Sequence, residues 1–308
     1  MDTKKAFNDA VYNGIRKTIN RFRERPLFYF TESDLHSSLQ SDLLQNNSKQ
    51  FTAHTHNKFP VSLVHLEYPT KFRYEKSKLL DGYEIPPSVP KPHETSLVQI
   101  KKHGDRGNFD LAILNREFVE FDHSLLEDEK SSKKDLDLRQ EAEALHIINK
   151  DNSRAITRLK DNKYNSEHGK QNLPNRFQRE VRYAIEFKYI HPDNARNKNM
   201  LDEIKKDNEK LKLAYYHSHG FIRPINLVFC SSIGLERRDR QTTIVERIEA
   251  YIKGEDKEHT IPDHVLNIFI HSFISMNKKE TPKPIAFCSK PEKWAYDLCK
   301  VLKTDLLT

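Results

Sequence analysis

The chain has 308 residues and a formal net charge of +7, with 36% of its residues hydrophobic and 31% charged. This size fits one large domain or two small ones, and the low apolar share requires long loops or solvated helices around a core. Neither the apolar run of a secretory signal nor about 20 consecutive apolar residues for a membrane span occurs, so we expect a cytoplasmic protein that contacts no membrane.

The excess of basic residues mildly favours an anionic partner such as nucleic acid, although a lysine-rich surface that serves solubility gives the same net charge. The cysteines Cys230, Cys288 and Cys299 lack Cys-x-x-Cys spacing and lie in apolar sequence. They are therefore predicted to be reduced core residues, not a disulfide framework or a zinc site.

Two helices are predicted at the start of the chain. Apolar residues at helical spacing predict the first over residues 3–24, before Pro26. Its other face carries basic side chains, which we interpret as solvated, with contact to phosphates as the alternative. The second helix begins near Thr31, which can cap it together with Asp34. Glu32 falls on the leucine stripe of this helix, in its first turn, where a carboxylate interacts favourably with the helix dipole.

Two strands are predicted next. Residues 61–68 form the first and residues 108–115 the second, with a proline-rich loop between them. Asp110 is an isolated carboxylate within the second of these short apolar strands. The dense charge and few apolar residues of 116–180 indicate an insertion within the domain and not a separate domain.

Residues 182–190 alternate with the period of a β-strand. Glu186 and Lys188 are two positions apart and therefore share one face of that strand. A carboxylate and an ammonium group in an apolar strand lose hydration energy unless something uses them, which marks the pair as a candidate site. The competing interpretation is a surface-facing ion pair on an edge strand.

The remaining sequence completes an α/β pattern. Its predicted elements are a helix over 198–217, an apolar strand over 225–231, a basic loop at Arg237–Arg240, a helix over 241–253, strands over 264–274 and 284–289, and a helix over 292–303. We therefore expect an α/β protein with a single domain over residues 1–308 and an N-terminal helix within residues 1–30.

Asp110, Glu186 and Lys188 would converge if their two strands were neighbours. Small Ala112 and Ala184 share the faces of the two carboxylates and leave room beside them. Carboxylates from adjacent strands suit a hard cation such as Mg²⁺ or Mn²⁺. Such an ion can polarise a phosphodiester and help to generate hydroxide. The lysine would position or deprotonate the water, or stabilise charge in the transition state.

The order of these residues resembles the signature of the PD-(D/E)XK nuclease (restriction endonuclease-like) superfamily. That signature places an acidic residue on a helix, an Asp in a strand and Asp/Glu-x-Lys in the next strand, here Glu32, Asp110 and Glu186-Phe187-Lys188. The resemblance covers about residues 30–235, and short stretches around Thr31 and Leu66 are similar to an uncharacterised prokaryotic branch. There are two departures, since Phe109 replaces the usual proline and the charged insertion separates Asp110 from Glu186 by an unusual length.

The resemblance implies a restriction endonuclease-like fold, with a mixed central β-sheet flanked by helices, and a divalent-metal-dependent nuclease. Asp110 and Glu186 would hold Mg²⁺ or Mn²⁺, with Glu32 as a further ligand and Lys188 assisting the water or the transition state. The alternative is a catalytically inactive protein of this fold that binds nucleic acid or acts as a scaffold.

DNA is the expected partner of such a nuclease, with RNA as the alternative. Enzymes that cut both strands commonly pair through two-fold symmetry, which makes a homodimer one state to test. The basic residues that would touch phosphates are Arg73, Lys101, Lys102, Arg106, Arg237, Arg238 and Arg240. A solvated surface is nevertheless the simpler interpretation of each of these residues taken alone.

Overall fold

The computed structural model describes residues 3–54, 58, 60–75, 99–101, 106–120, 180–191, 199–218, 220–233, 238–253, 255, 262–274 and 283–307. The helices in these ranges are α1 (Thr3–Glu24), α2 (Glu32–Asn47), α3 (Arg116–Val119), α4 (Met200–His217), α5 (Arg238–Ile252) and α6 (Lys293–Leu302). The strands are β1 (Thr52–His54), β2 (Pro60–Ser62), β3 (Val64–Glu75), β4 (Gln99–Lys101), β5 (Arg106–Leu114), β6 (Val181–Ile190), β7 (Arg223–Ile233), β8 (Leu266–Ile274), β9 (Ile285–Phe287) and β10 (Leu306–Leu307).

Eight of these strands form one mixed sheet in the order β10-β9-β8-β7-β6-β5-β3-β4, and β1 and β2 form a separate antiparallel pair. The central strands β6, β7 and β8 run parallel. The pairs β3–β4, β3–β5, β5–β6 and β8–β9 are antiparallel. Helices pack against this mixed sheet, which confirms the predicted α/β class.

The central strands are covered on both faces, as their continuous apolar sequence requires. On one face, the ring of Phe22 in α1 packs edge-on against Tyr189 of β6 and Phe229 of β7. On the other face, Ile204 of α4 and Ile248 of α5 belong to a second apolar cluster with the central strands. β6 is thus a central strand, and Glu186 within it is buried, so the interpretation of a surface-facing pair on an edge strand is wrong.

Several predicted boundaries need correction. The predicted strand 61–68 is interrupted at Leu63, where the chain passes from the β1–β2 pair into the main sheet, and β3 then continues to Glu75. The predicted basic loop is wrong in part, because Arg238 begins α5 and Arg240 lies in its first turn. Two of the predicted phosphate contacts, Lys102 and Arg237, lie outside the described residues. So do residues 121–179, which make up most of the predicted insertion.

The other predicted elements agree closely with the structure. Helix α1 covers the predicted residues 3–24, and the leucine stripe of α2 is fully buried at Leu35, Leu39 and Leu43. The run 264–274 is a strand, as predicted. All three cysteines are free and buried, which confirms their assignment to the core. In the described part of the chain, no helix is long and apolar enough to cross a membrane.

Candidate active site

The candidate site lies where β5 and β6 separate. The two strands pair from Leu114 and Val181 as far as Leu111 and Ile185. Beyond that point β5 stays with β3 while β6 stays with β7. Because N–H groups of alternate residues in a strand point to the same side, Phe187 and Tyr189 direct theirs towards the side that β5 has left.

On that side of β6, two carboxylates accept the backbone hydrogen bonds that a paired strand would otherwise accept. The Phe187 N–H donates to Asp110 Oδ2 at 2.7 Å, and the Tyr189 N–H donates to Glu32 Oε1 at 3.4 Å. Asp110 comes from β5 itself, whereas Glu32 is the first residue of α2. The separation of the strands therefore brings together two acidic residues that are far apart in sequence, beside Glu186 and Lys188.

Thr31 holds Glu32 in position. Its side chain accepts a hydrogen bond from the Asp34 N–H at 3.3 Å, and Asp34 Oδ2 accepts from the Thr31 N–H at 2.9 Å, which completes a capping box. Asp34 Oδ2 also accepts from the Phe30 N–H at 2.8 Å. The predicted cap is thus confirmed, and it fixes the first turn of α2 against the end of β6.

Replacing Thr31 with alanine is expected to lower the free energy of unfolding by about 1 kcal/mol, since the start of α2 loses its side-chain cap. Urea denaturation followed by circular dichroism measures the change. Ser37→Ala, at an exposed position of the same helix, is the matched control and should change stability by less than about 0.5 kcal/mol. Equal effects of the two substitutions would contradict a capping role.

Two residues of α4 complete the site, and sequence reasoning did not select either of them. Lys210 Nζ lies 2.6 Å from Glu186 Oε2 and 3.5 Å from Asp207 Oδ1, and it donates to the backbone oxygen of Asn108 at 2.9 Å. Asp207 Oδ2 lies 3.1 Å from Lys188 Nζ. Asp207 therefore bridges the two lysines.

Glu186 and Lys188 do not pair with each other, although they are neighbours on one face. Glu186 pairs with Lys210, while Lys188 Nζ lies 3.3 Å from Glu32 Oε2 as well as beside Asp207. We call Glu32, Asp110, Glu186, Lys188, Asp207 and Lys210 the charged cluster. Its four carboxylates face two ammonium groups, which leaves an excess of two negative charges when all six groups are ionised.

Burial makes this excess costly. The Glu186 side chain is only 1% exposed, and those of Lys210, Lys188 and Asp207 are 8%, 13% and 13% exposed. Burial raises the pKa of Glu186 well above its ordinary value; Lys210 opposes the rise, and the charges of Asp110 and Asp207 add to it. Burial also raises the pKa values of Asp110 and Glu32, and nearby lysines offset this only in part.

The pKa of Lys188 shifts in the opposite direction to that of a buried amine without charged neighbours. Burial alone would lower its pKa, but the surrounding carboxylates of Asp207, Glu32 and Asp110 together outweigh burial and raise it above the usual value for lysine. The group is therefore an ammonium ion at neutral pH, and it carries a fixed positive charge at the separation of β5 and β6.

One oxygen of Glu186 has no hydrogen-bond partner in the described part of the chain. Glu186 Oε1 is buried, and among the described residues no donor reaches it. The neighbouring position in β7 is Asn226, whose Nδ2 donates to Asn208 Oδ1 at 3.0 Å. Its own Oδ1 also lacks a partner within the described ranges. Buried acceptors without donors are costly, so Glu186 Oε1 is a coordination position that suits a cation or an ordered water.

The basic residues predicted to touch phosphates are brought together only in part. Arg73 of β3 is in register with Lys101 of β4 and also with Arg106 of β5, so these three share adjacent backbone positions across the sheet. Arg238 and Arg240 lie instead at the start of α5.

No three histidine, cysteine, aspartate or glutamate side chains in the described ranges lie close enough together to hold a metal ion. Within the charged cluster, Glu186 instead faces Lys210 and Glu32 faces Lys188. Comparisons with known proteins give no match to a family model, to a curated protein or to a solved structure.

Proposed function

We propose that the protein is a nuclease of the restriction endonuclease-like type, which hydrolyses phosphodiester bonds of DNA with the help of a divalent metal ion. The observation that carries this proposal is that four carboxylates face two ammonium groups in the charged cluster, around a buried glutamate with one oxygen that lacks a partner among the described residues. A cluster that needs further positive charge suits a divalent cation and a phosphodiester held by it.

Asp110 and Glu186 would hold Mg²⁺ or Mn²⁺, with Glu32 as a further ligand. Carboxylate oxygens are the preferred donors of both ions, and Glu186 Oε1 has no hydrogen-bond partner among the described residues. When bound, the ion polarises the phosphodiester and lowers the pKa of a coordinated water. Glu186 Oε2 stays in contact with Lys210 in the structure, so the lysine and the ion would share this carboxylate.

Lys188 would stabilise negative charge on the phosphate and would not act as a base. The carboxylates of Asp207, Glu32 and Asp110 raise the pKa of this amine in the metal-free protein, which favours the protonated form, and a protonated amine cannot accept a proton from water. Asp207 would act as a positioning residue, because it contacts both Lys188 and Lys210. Of the two roles considered for this lysine, the pKa thus favours charge stabilisation.

The second candidate is a catalytically inactive protein of the same fold that binds nucleic acid or acts as a scaffold. The Glu186–Lys210 contact at 2.6 Å favours it, since a close ion pair partly satisfies the buried carboxylate without any metal. In that case the charged cluster would only join α2 and α4 to the sheet.

Cleavage of supercoiled plasmid, single-stranded DNA and RNA, in Mg²⁺, Mn²⁺ or EDTA, tests the proposal. Wild type is expected to cut DNA only with metal, Asp110→Ala is expected to abolish cutting, and Lys188→Ala is expected to slow it by a factor of about 10² or more. Lys212→Ala is the control, because Lys212 lies on α4 in a partly exposed pair with Glu209 outside the cluster. A wild-type protein that shifts DNA on a gel without cutting it would favour the scaffold.

A further inference from the structure

The connection between α1 and α2 exposes an unusual set of apolar side chains. Five large hydrophobic side chains are exposed in the described part of the chain, and three of them lie here within four residues: Leu27 at 53%, Phe28 at 70% and Phe30 at 72%. Single exposed apolar residues are ordinary, whereas a contiguous group indicates a binding surface.

These exposed residues are presented by a rigid segment. Pro26 is buried at the start of a 3₁₀ turn, Pro26–Phe28, and Tyr29 is buried with its ring 5.7 Å from that of Phe22. The Phe30 N–H is held by Asp34. Buried anchors therefore alternate with exposed rings, so that the fold holds Phe28 and Phe30 towards solvent.

The surroundings of the two rings favour an anionic partner that contains flat aromatic groups. The guanidinium of Arg25 lies 5.7 Å from the centroid of the Phe28 ring, and Arg23 precedes it at the end of α1, where Arg21 is already paired with Asp42. Nucleic acid combines a phosphate backbone with bases whose faces can stack on phenylalanine, and base stacking of this kind tolerates any sequence.

The rings are also next to the charged cluster. Phe30 precedes Glu32 by two residues, so their Cα atoms are within about 7 Å of each other by chain geometry. Glu32 in turn contacts Lys188 and the backbone of Tyr189. A strand whose bases stack on Phe28 and Phe30 would thus pass directly beside the candidate active site.

We propose that Phe28 and Phe30, with Arg25, form a stacking platform for unpaired bases, so that the substrate is nucleic acid with a single-stranded region. This inference rests on the proposed function and narrows its substrate class. A second copy of the chain fits the surface less well. Stable interfaces bury about 800 Å² per partner, and a fully buried aromatic side chain contributes only about 150–250 Å².

Binding measured in EDTA tests the platform independently of cleavage. The probes are a fluorescent single strand of about 15 nucleotides and a blunt duplex of the same length, followed by anisotropy. Phe28→Ala with Phe30→Ala is expected to weaken binding of the single strand on the order of ten-fold for each ring removed and to leave duplex binding within about two-fold. Tryptophan at both positions is expected to retain binding.

Tyr296→Ala is the matched control, because Tyr296 is a 50% exposed aromatic residue on α6. If the double alanine variant lost no affinity for the single strand, or lost equal affinity for both probes, the stacking platform would be overturned. A wild-type oligomer that the double variant converts to monomers, by light scattering, would show a self-association surface instead. If the single strand binds as expected but no metal supports cutting, the nuclease proposal fails while the platform stands.

Discussion

Replacing Lys210 with methionine is expected to lower the free energy of unfolding by about 3–5 kcal/mol in metal-free buffer at neutral pH. The substitution keeps the apolar stem but removes the ammonium group that lies 2.6 Å from Glu186 Oε2. Glu186 is then a buried carboxylate with no partner for either oxygen among the described residues. Its burial within the sheet prevents water from replacing the lost charge.

The loss of stability caused by the Lys210 substitution should become smaller as the pH is lowered. The pKa of Glu186 is already raised in the folded state, and the loss of Lys210 raises it further. A folded state that holds a proton more tightly than the unfolded chain gains stability as the pH falls through the folded-state pKa. The variant should therefore be least stable above that pKa and recover towards wild type in mildly acidic buffer, where Glu186 is a neutral acid.

Millimolar Mn²⁺ should restore much of the lost stability if the charged cluster is a metal site. The ion would supply the positive charge that Lys210 supplied, and a ligand present at 100 times its dissociation constant adds about 2.7 kcal/mol. Thermal unfolding with and without Mn²⁺ measures this effect, which should be larger in the Lys210 variant than in wild type because the lysine no longer competes.

Lys212→Met is the control for this experiment, because Lys212 lies on the same helix in a partly exposed pair with Glu209. It should change stability by less than about 1 kcal/mol, and its response to Mn²⁺ should equal that of wild type. A Lys210 variant that is unstable but insensitive to Mn²⁺ would show that the cluster is a structural ion-pair network, and would favour the scaffold.

The central strands could be predicted from sequence because their signal is local. The alternation in residues 182–190 placed Glu186 and Lys188 on one face of a strand, and the structure shows both on one face of β6. Asp110 was found by the same reasoning, as a charge that an apolar strand does not explain. Burial of both strand faces makes such a charge conspicuous, since the surrounding pattern is almost wholly hydrophobic.

Asp207 and Lys210 could not be found in this way, because α4 is rich in charge along its whole length. Its charged residues suggest a solvated helix, and only the packing of the helix against β6 and β7 shows that Lys210 is buried and that the Asp207 side chain is largely covered. Their positions, three residues apart, were a weak signal, since they share the side of the helix that carries buried Ile204 and Leu211.

The ion-pair partners of Glu186 and Lys188 could not be predicted from the sequence either. Glu186 and Lys188 stand side by side, yet each reaches across to another element: to Lys210 of α4 in one case, and to Glu32 of α2 and Asp207 of α4 in the other. A strand pattern fixes the face on which a side chain lies, but the partner depends on which helices cover that face. The separation of β5 and β6, which admits Glu32, is likewise a property of the sheet as a whole.

Replacing Lys188 with methionine is expected to reduce the rate of DNA cleavage by a factor of about 10²–10³, whereas arginine should retain at least about ten-fold more activity than methionine. The reason is the raised pKa, which makes Lys188 a fixed charge and not a base. Single-turnover rates from about pH 6 to 9 provide the measurement. If Lys188 were the base, the arginine variant would be as inactive as the methionine variant, since a guanidinium cannot take a proton from water. Either substitution would then also remove one ionisation from the pH profile of the cleavage rate. A partly active arginine variant with an unchanged profile would instead assign water activation to the metal ion and leave Lys188 to stabilise the phosphate charge.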